Sequence, residues 1–217
     1  MKKTMTWLLA LSLATCAATS AQDLLVLKAS SRDTHATPVQ SRPPVAGSRP
    51  EKINLLNPSF ELDEAGTAAT PRHWYYLGSC ATCLPVIEPG VQEKRKKAPH
   101  GKNFVALLAV DNGKTEIIGQ QLEYPLRRDS AYAFTIFASK AERYKAYPSR
   151  SRNLKNFNTP VVLRIWAYND GTDQQQLLAQ TVPIDHEFWY EYAFLLTPTD
   201  RTYDSLAIEA WYDNRKK

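Results

Sequence analysis

Two stretches decide the fold class: Pro160-Val161-Val162-Leu163-Arg164-Ile165-Trp166-Ala167-Tyr168 and Tyr203-Asp204-Ser205-Leu206-Ala207-Ile208-Glu209-Ala210-Trp211-Tyr212. Both alternate with a period of two. In the first, Val161, Leu163, Ile165 and Ala167 share one face, and Val162, Arg164, Trp166 and Tyr168 share the other. In the second, Leu206, Ile208 and Ala210 alternate with Ser205, Ala207, Glu209 and Trp211. Successive side chains of a strand point to opposite faces, so an all-apolar alternate face asks for a core beneath it. Working outward, short apolar runs bounded by Pro, Asn, Asp and Gly predict further strands at 52–56, 58–62, 73–77, 103–111, 115–123, 131–141, 176–184 and 188–197. Asp111-Asn112-Gly113 and Asn169-Asp170-Gly171 are turn signals between them. No window of a dozen residues keeps a 3.6 period, although Gln174–Ala179 could form one helical turn. Five Trp, eleven Tyr and seven Phe suit a pleated surface. Many short strands at similar spacing predict an antiparallel β-sandwich, of the jelly-roll kind.

The N-terminus predicts a compartment. Met1-Lys2-Lys3 is a short basic start, Trp7 to Ala18 an apolar and small-residue stretch, and Thr19-Ser20-Ala21 a run of small residues before Gln22. That order is the n-, h- and c-region order of a secretory signal peptide, residues 1–21, with cleavage expected after Ala21. Leu13-Ala14-Thr15-Cys16 offers the rival reading of lipid attachment at Cys16, with Thr15 a poor residue at its place. Residues 22–50, with Pro38, Pro43, Pro44 and Pro50, read as a linker leading to a domain over 51–217. The apolar stretch is too short for a mature membrane span, and a mean hydropathy of −0.42 excludes a polytopic membrane protein.

The formal charge of +5 falls when Lys2 and Lys3 leave with the leader. The remaining basic residues cluster at Lys94, Arg95, Lys96, Lys97 and Lys102, and at Arg143, Lys145, Arg150, Arg152 and Lys155. Such runs attract polyanions or simply solvate a loop; in an exported chain with no recognition motif, nucleic acid is not the expected partner. Cys80 and Cys83, in an oxidising compartment, are expected to form a local disulfide. Pro85, Pro89 and Gly90 follow where a redox helix would have to begin. His73, His100 and His186 stand at no zinc-like spacing.

Catalytic signals are weak. Eight Gly form neither common phosphate loop. Glu61, Glu116, Glu191 and Glu209 can be paired for glycoside hydrolysis only on paper, and no Gly-x-Ser-x-Gly is present. The non-apolar faces of 160–168 and 203–212 are more informative. Arg164, Trp166, Tyr168, Glu209 and Trp211 would offer aromatic platforms beside charged hydrogen-bonding groups if both faces lie on one side of the sandwich. Sugar rings bind in that way, apolar C–H faces on aromatic rings and hydroxyls on planar polar groups. The competing reading is that these Trp merely cover the sheet.

Asn54-Leu55-Leu56-Asn57-Pro58-Ser59-Phe60-Glu61, followed by Trp74, resembles the N-terminal signature of galactose-binding-like jelly rolls, which include many non-catalytic carbohydrate-binding modules. Over about residues 53–212 the chain is similar to jelly-roll domains of bacterial envelope proteins, some attached to outer-membrane-protein-A-like peptidoglycan-binding domains. The matching segments are Pro99-His100-Gly101-Lys102-Asn103-Phe104, Glu116-Ile117-Ile118-Gly119-Gln120-Gln121-Leu122, Tyr124-Pro125-Leu126, Pro160 to Trp166, and Glu187-Phe188-Trp189-Tyr190-Glu191-Tyr192. The resemblance implies a binding module for a glycan or an envelope protein, with Trp74 joining the ligand-binding set. It also implies a structural Ca²⁺ on Glu61, with Asp63 nearby, although the late Asp of the family's set is missing. Domains of this kind close with one more strand after the segment matching 203–212. Here Asp213-Asn214-Arg215-Lys216-Lys217 is too polar to supply it. Either Leu24–Leu27 folds back to fill the gap, or a partner donates a strand; the prolines of 38–50 favour the partner.

Overall fold

The computed structural model describes residues 22–30, 51–62, 70–78, 86–88, 96–110, 115–146, 153, 155–156 and 159–212. Thirteen strands and no helix are found among them: β1 (Gln22–Ser30), β2 (Glu51–Lys52), β3 (Tyr75–Tyr76), β4 (Val86–Glu88), β5 (Phe104–Val110), β6 (Ile117–Leu126), β7 (Tyr132–Lys140), β8 (Lys145–Ala146), β9 (Lys155–Asn156), β10 (Val162–Tyr168), β11 (Gln175–Gln180), β12 (Tyr190–Leu196) and β13 (Tyr203–Trp211). The first sheet runs β12-β7-β1-β5-β4, with β2 against the start of β7, and the second runs β11-β10-β13-β6-β3. β8 and β9 form a separate ribbon. Every pairing is antiparallel except β2 with β7.

The two sheets pack face to face, so the molecule is an antiparallel β-sandwich. Its core takes Val105, Leu107 and Ala109 from β5, Phe134, Ile136 and Ala138 from β7, and Tyr192, Phe194 and Leu196 from β12. The second sheet contributes Ile118, Leu163, Ile165, Ala167, Leu206, Ile208 and Ala210. These are the alternate apolar faces read from the sequence. β5 is buried on both faces: Phe104, Ala106 and Leu108 form a second cluster outside the first sheet with Ala141, covered by Ala98, Tyr144 and Trp189. Trp189 meets Phe104 edge-on at 5.2 Å.

Several expectations change. The linker expected over 22–50 begins instead with a strand, because Gln22–Ser30 lies between β5 and β7 in the middle of the first sheet. The chain's own segment fills that position. Residues 58–62 are not a strand. Asn57 takes a left-handed backbone (φ 46°), its side-chain oxygen accepts the Glu61 N–H at 2.9 Å, and its amide donates to the Glu61 carbonyl at 2.9 Å. An Asx-type closure of this kind competes with ladder pairing, and Asn tolerates the conformation better than most residues. Gln175–Gln180 is strand rather than helical turn. The Asn169-Asp170-Gly171 turn joins β10 to β11, with Gly171 at φ 71°. Residues 1–21 with Cys16, the Asp111-Asn112-Gly113 turn, Asp63, Cys80 and Cys83, Lys94, Arg95, Arg150 and Arg152 lie outside the described residues.

Candidate functional site

The outer face of the second sheet brings together five of the six residues expected to bind ligand. Strand register does the work. Arg164 on β10 pairs with Glu209 on β13, Trp166 with Ala207, and Tyr168 with Ser205. Continuing across the sheet, Ala207 pairs with Gly119 on β6, and Gly119 with Tyr75 on β3. Residues in direct register point to the same side of a sheet. The row Trp166-Ala207-Gly119 therefore sets a large ring beside two small residues, and the small residues leave a depression.

That depression is an open cavity of about 410 Å³, lined among others by Trp166, Tyr168, Ala207, Glu209, Ile117 and Leu77. Asp170, Gly171, Thr172, Asp173 and Gln175 form its rim. The rim is built by the β10–β11 turn: the Asn169 N–H donates to the Gln174 carbonyl at 3.1 Å, and the Thr172 hydroxyl to the Asn169 carbonyl at 2.9 Å. The Asp170 N–H, donating to Asp204 at 3.2 Å, ties it to β13. The ends of the Leu77 and Tyr168 side chains close over Gly119, where a Cβ would meet Leu77 Cδ1 at 2.4 Å and the Tyr168 hydroxyl at 2.6 Å and push both aside.

Polar groups on this face are already coupled. The Trp166 indole N–H donates to Glu209 Oε2 at 2.8 Å. Arg164 Nη1 lies 3.9 Å from the same oxygen, and Arg164 Nε donates to Gln180 at 3.3 Å. The Arg164 guanidinium stacks 3.4 Å above the Trp211 ring, so one face of that indole is covered. Trp166 and Trp211 are half-buried, while Glu209 is 7% exposed. Tyr168 is 9% exposed, with Tyr75 and Ser205 as polar neighbours; burial, reinforced by Tyr75, pushes its phenol well above the usual range. The chain thus fixes one carboxylate between an indole N–H and a guanidinium, at the edge of an aromatic-walled cavity.

The sixth residue is elsewhere. Trp74 is 4% exposed, packs against Phe60 at 4.9 Å in the main core, and donates its indole N–H to the Asn57 carbonyl at 3.0 Å. It is part of the loop closure around Asn57 and cannot stack on a ligand. Glu61 Oε1 accepts the backbone N–H groups of Lys102 at 3.0 Å and Asn103 at 3.3 Å, holding the 57–61 turn to the approach of β5. No group of three or more His, Cys, Asp or Glu suited to a metal occurs among the described residues. Lys96, expected on a solvated basic patch, is 8% exposed; its ammonium donates to the Glu187 carbonyl and sits 5.4 Å above the Trp189 ring. Of the carboxylates weighed as catalytic pairs, Glu61 clamps a turn, Glu116 is buried beside Leu108, Glu191 is on β12 of the other sheet, and Glu209 alone lines the cavity.

Ala207, Gly119 and the 170–175 rim were not among the residues singled out. Their signal was faint: a Gly inside an apolar run at 117–122, and the turn after Tyr168. No known family model and no curated protein matches the chain. No described helix is long and apolar enough to cross a membrane.

Proposed function

We propose that the chain is an exported, non-catalytic binding module that takes a glycan or other cell-surface component on the outer face of its second sheet. The observation that carries this reading is the open cavity of about 410 Å³ with Trp166, Tyr168 and Glu209 in its wall. A pyranose offers apolar C–H faces to an aromatic ring and hydroxyls to a carboxylate, and both partners are present within one depression. Trp166 is the main platform, because Arg164 covers Trp211. Export to the periplasm, the outer-membrane surface or the exterior follows from the leader-like first 21 residues, and the jelly-roll resemblance points to the same class of module.

A glycan array read with wild type and Trp166→Ala tests this. One aromatic platform is worth about 1–2 kcal/mol, so the variant should bind roughly 5- to 30-fold more weakly, while loss of the indole N–H from Glu209 lowers its Tm without unfolding it. Absence of any glycan binding by the wild type, or equal binding by the variant, overturns the reading.

One observation favours a second reading, a structural or adhesion subunit that pairs with an envelope protein through a sheet edge. Edge strand β12 opens with a protruding aromatic group: Phe188 is 65% and Tyr190 47% exposed, with His186 stacked on Phe188 at 4.7 Å. On this reading Phe188→Ala with Tyr190→Ala abolishes association with the envelope protein while leaving glycan binding intact.

A further inference from the structure

The cavity on the outer face of the second sheet carries charge of one sign. Asp170, Asp173 and Glu209 line it, and no Lys, Arg or His does so among the described residues. In a chain of formal charge +5 this is a local reversal. The three carboxylates are not equivalent. Glu209 is already matched, because it accepts the Trp166 indole N–H at 2.8 Å and lies 3.9 Å from Arg164 Nη1. Asp170 and Asp173 stand on the exposed β10–β11 turn, and neither carboxylate is paired with a cation among the described residues. The fold does not use them either. That turn is closed by backbone bonds and the Thr172 hydroxyl, and its tie to β13 runs through the Asp170 N–H.

The wall below this rim is aromatic and unfinished. Trp166 and Tyr168 present rings, whose faces are the negative ends of their quadrupoles. Tyr168 is only 9% exposed, and its hydroxyl has no hydrogen-bond partner. That hydroxyl lies where a Gly119 Cβ would stand, on the side of the sheet that Gly119 shares with Ala207 and Trp166. A buried polar group left unpaired is costly, and a ligand donor can complete it. A neutral pyranose would satisfy the rings and leave the two rim charges unanswered. A ring that bears an ammonium group answers both, since the cation is drawn to the carboxylates and to the aromatic faces alike.

We infer that the cavity selects a glycan carrying an unacylated amino sugar, its ammonium at the Asp170–Asp173 rim and its ring on Trp166. The inference rests on the glycan reading above and narrows it. A lysine side chain supplies the same cation, but not the run of C–H groups that a pyranose lays across an indole. The positive charge of the chain as a whole opposes a cationic ligand, so any preference for one must come from the local carboxylates.

Titration calorimetry of the exported chain with tetramers of glucosamine, N-acetylglucosamine and glucose tests this, at about pH 6, below the range of an α-amino group. At one ring carbon the tetramers carry an ammonium, a neutral amide and a hydroxyl respectively. The glucosamine tetramer should bind roughly tenfold more tightly than either neutral one. Asp170→Asn combined with Asp173→Asn should remove that advantage and keep the Tm close to that of wild type, because the backbone bonds of the turn remain. Equal binding of the tetramers by wild type, or an advantage that survives in the double variant, overturns the inference while the glycan reading stands. A lysine tetrapeptide bound as tightly as the glucosamine tetramer overturns the choice of a glycan. Absence of binding to these tetramers and to every glycan on an array removes the inference and the reading beneath it.

Discussion

Glu116 is a carboxyl group kept dry. It is 1% exposed; one oxygen accepts the Leu108 N–H at 2.7 Å and the other, Oε1, has no hydrogen-bond partner. Burial pushes its pKa from 4.5 up to about 7, against the opposing pull of the Leu108 N–H. Because the folded value exceeds the unfolded one, the folded state holds the proton longer. The stabilisation is complete below about pH 4.5 and is lost as pH rises to about 7, by about 3 kcal/mol in total. Glu116→Gln keeps an acceptor for Leu108 and cannot ionise. Urea midpoints measured between pH 5 and pH 8 should fall more steeply for wild type than for this variant, and parallel slopes would refute the assignment. Gln120 is the contrasting case, a buried polar group fully used. Its amide accepts from Leu56 N–H at 2.7 Å and donates to the carbonyls of Leu56 at 2.7 Å and His73 at 3.1 Å. Gln120→Leu strands those backbone groups and should cost about 1–3 kcal/mol in chemical denaturation, with no change in far-UV signature.

At the scale of the strand, the cavity is a consequence of register. Ala207→Leu would fill the depression between Trp166 and Gly119 from the solvent side, leaving the inward apolar face of β13 untouched. Glycan binding should drop by more than tenfold while the denaturation midpoint stays nearly constant; a variant that binds normally would remove the cavity from the function. The faces of β10 and β13 were legible from local sequence because one side of each must be apolar to be buried, and alternation states which. Which residues sit side by side across β10, β13, β6 and β3 was not, since it depends on the pairing of segments as distant as Gly119 and Ala207. Trp74 misled for a related reason: an aromatic side chain serves a core or a ligand equally well, and the decision lies with Phe60 and the Asn57 carbonyl that receives its N–H. At 58–62 the alternation of Phe60 and Leu62 imitated a strand, while the Asn57 side chain had already closed the backbone into a turn, leaving Phe60 at φ 54°.

For the molecule as a whole, the decisive segment is the one whose pattern is least informative. Leu24 to Leu27 is apolar at consecutive positions, as a strand between buried neighbours must be, but four such residues before a proline-rich stretch read equally well as a tether. Their placement ties the two halves of the first sheet together. β1 joins β5 to β7, and the core those two strands share with β12 is continuous with Leu163, Ile165, Leu206 and Ile208 of the second sheet. Removing β1 therefore should not melt one edge and spare the rest. Without it, β5 and β7 lose their mutual spacing, and Val105, Leu107, Phe134 and Ile136 no longer present one surface to the opposite sheet. Deleting 22–50 is expected to cost several kcal/mol, a large share of the stability of a domain this size. Hydrogen exchange separates a global from a local effect. In the 22–50 deletion, amides of β10 and β13 should lose protection together with those of β5 and β7, because all four strands share one core. If the second sheet keeps its protection while the first opens, the two sheets fold as separate units, and β1 is a local filler rather than the strand that completes the sandwich.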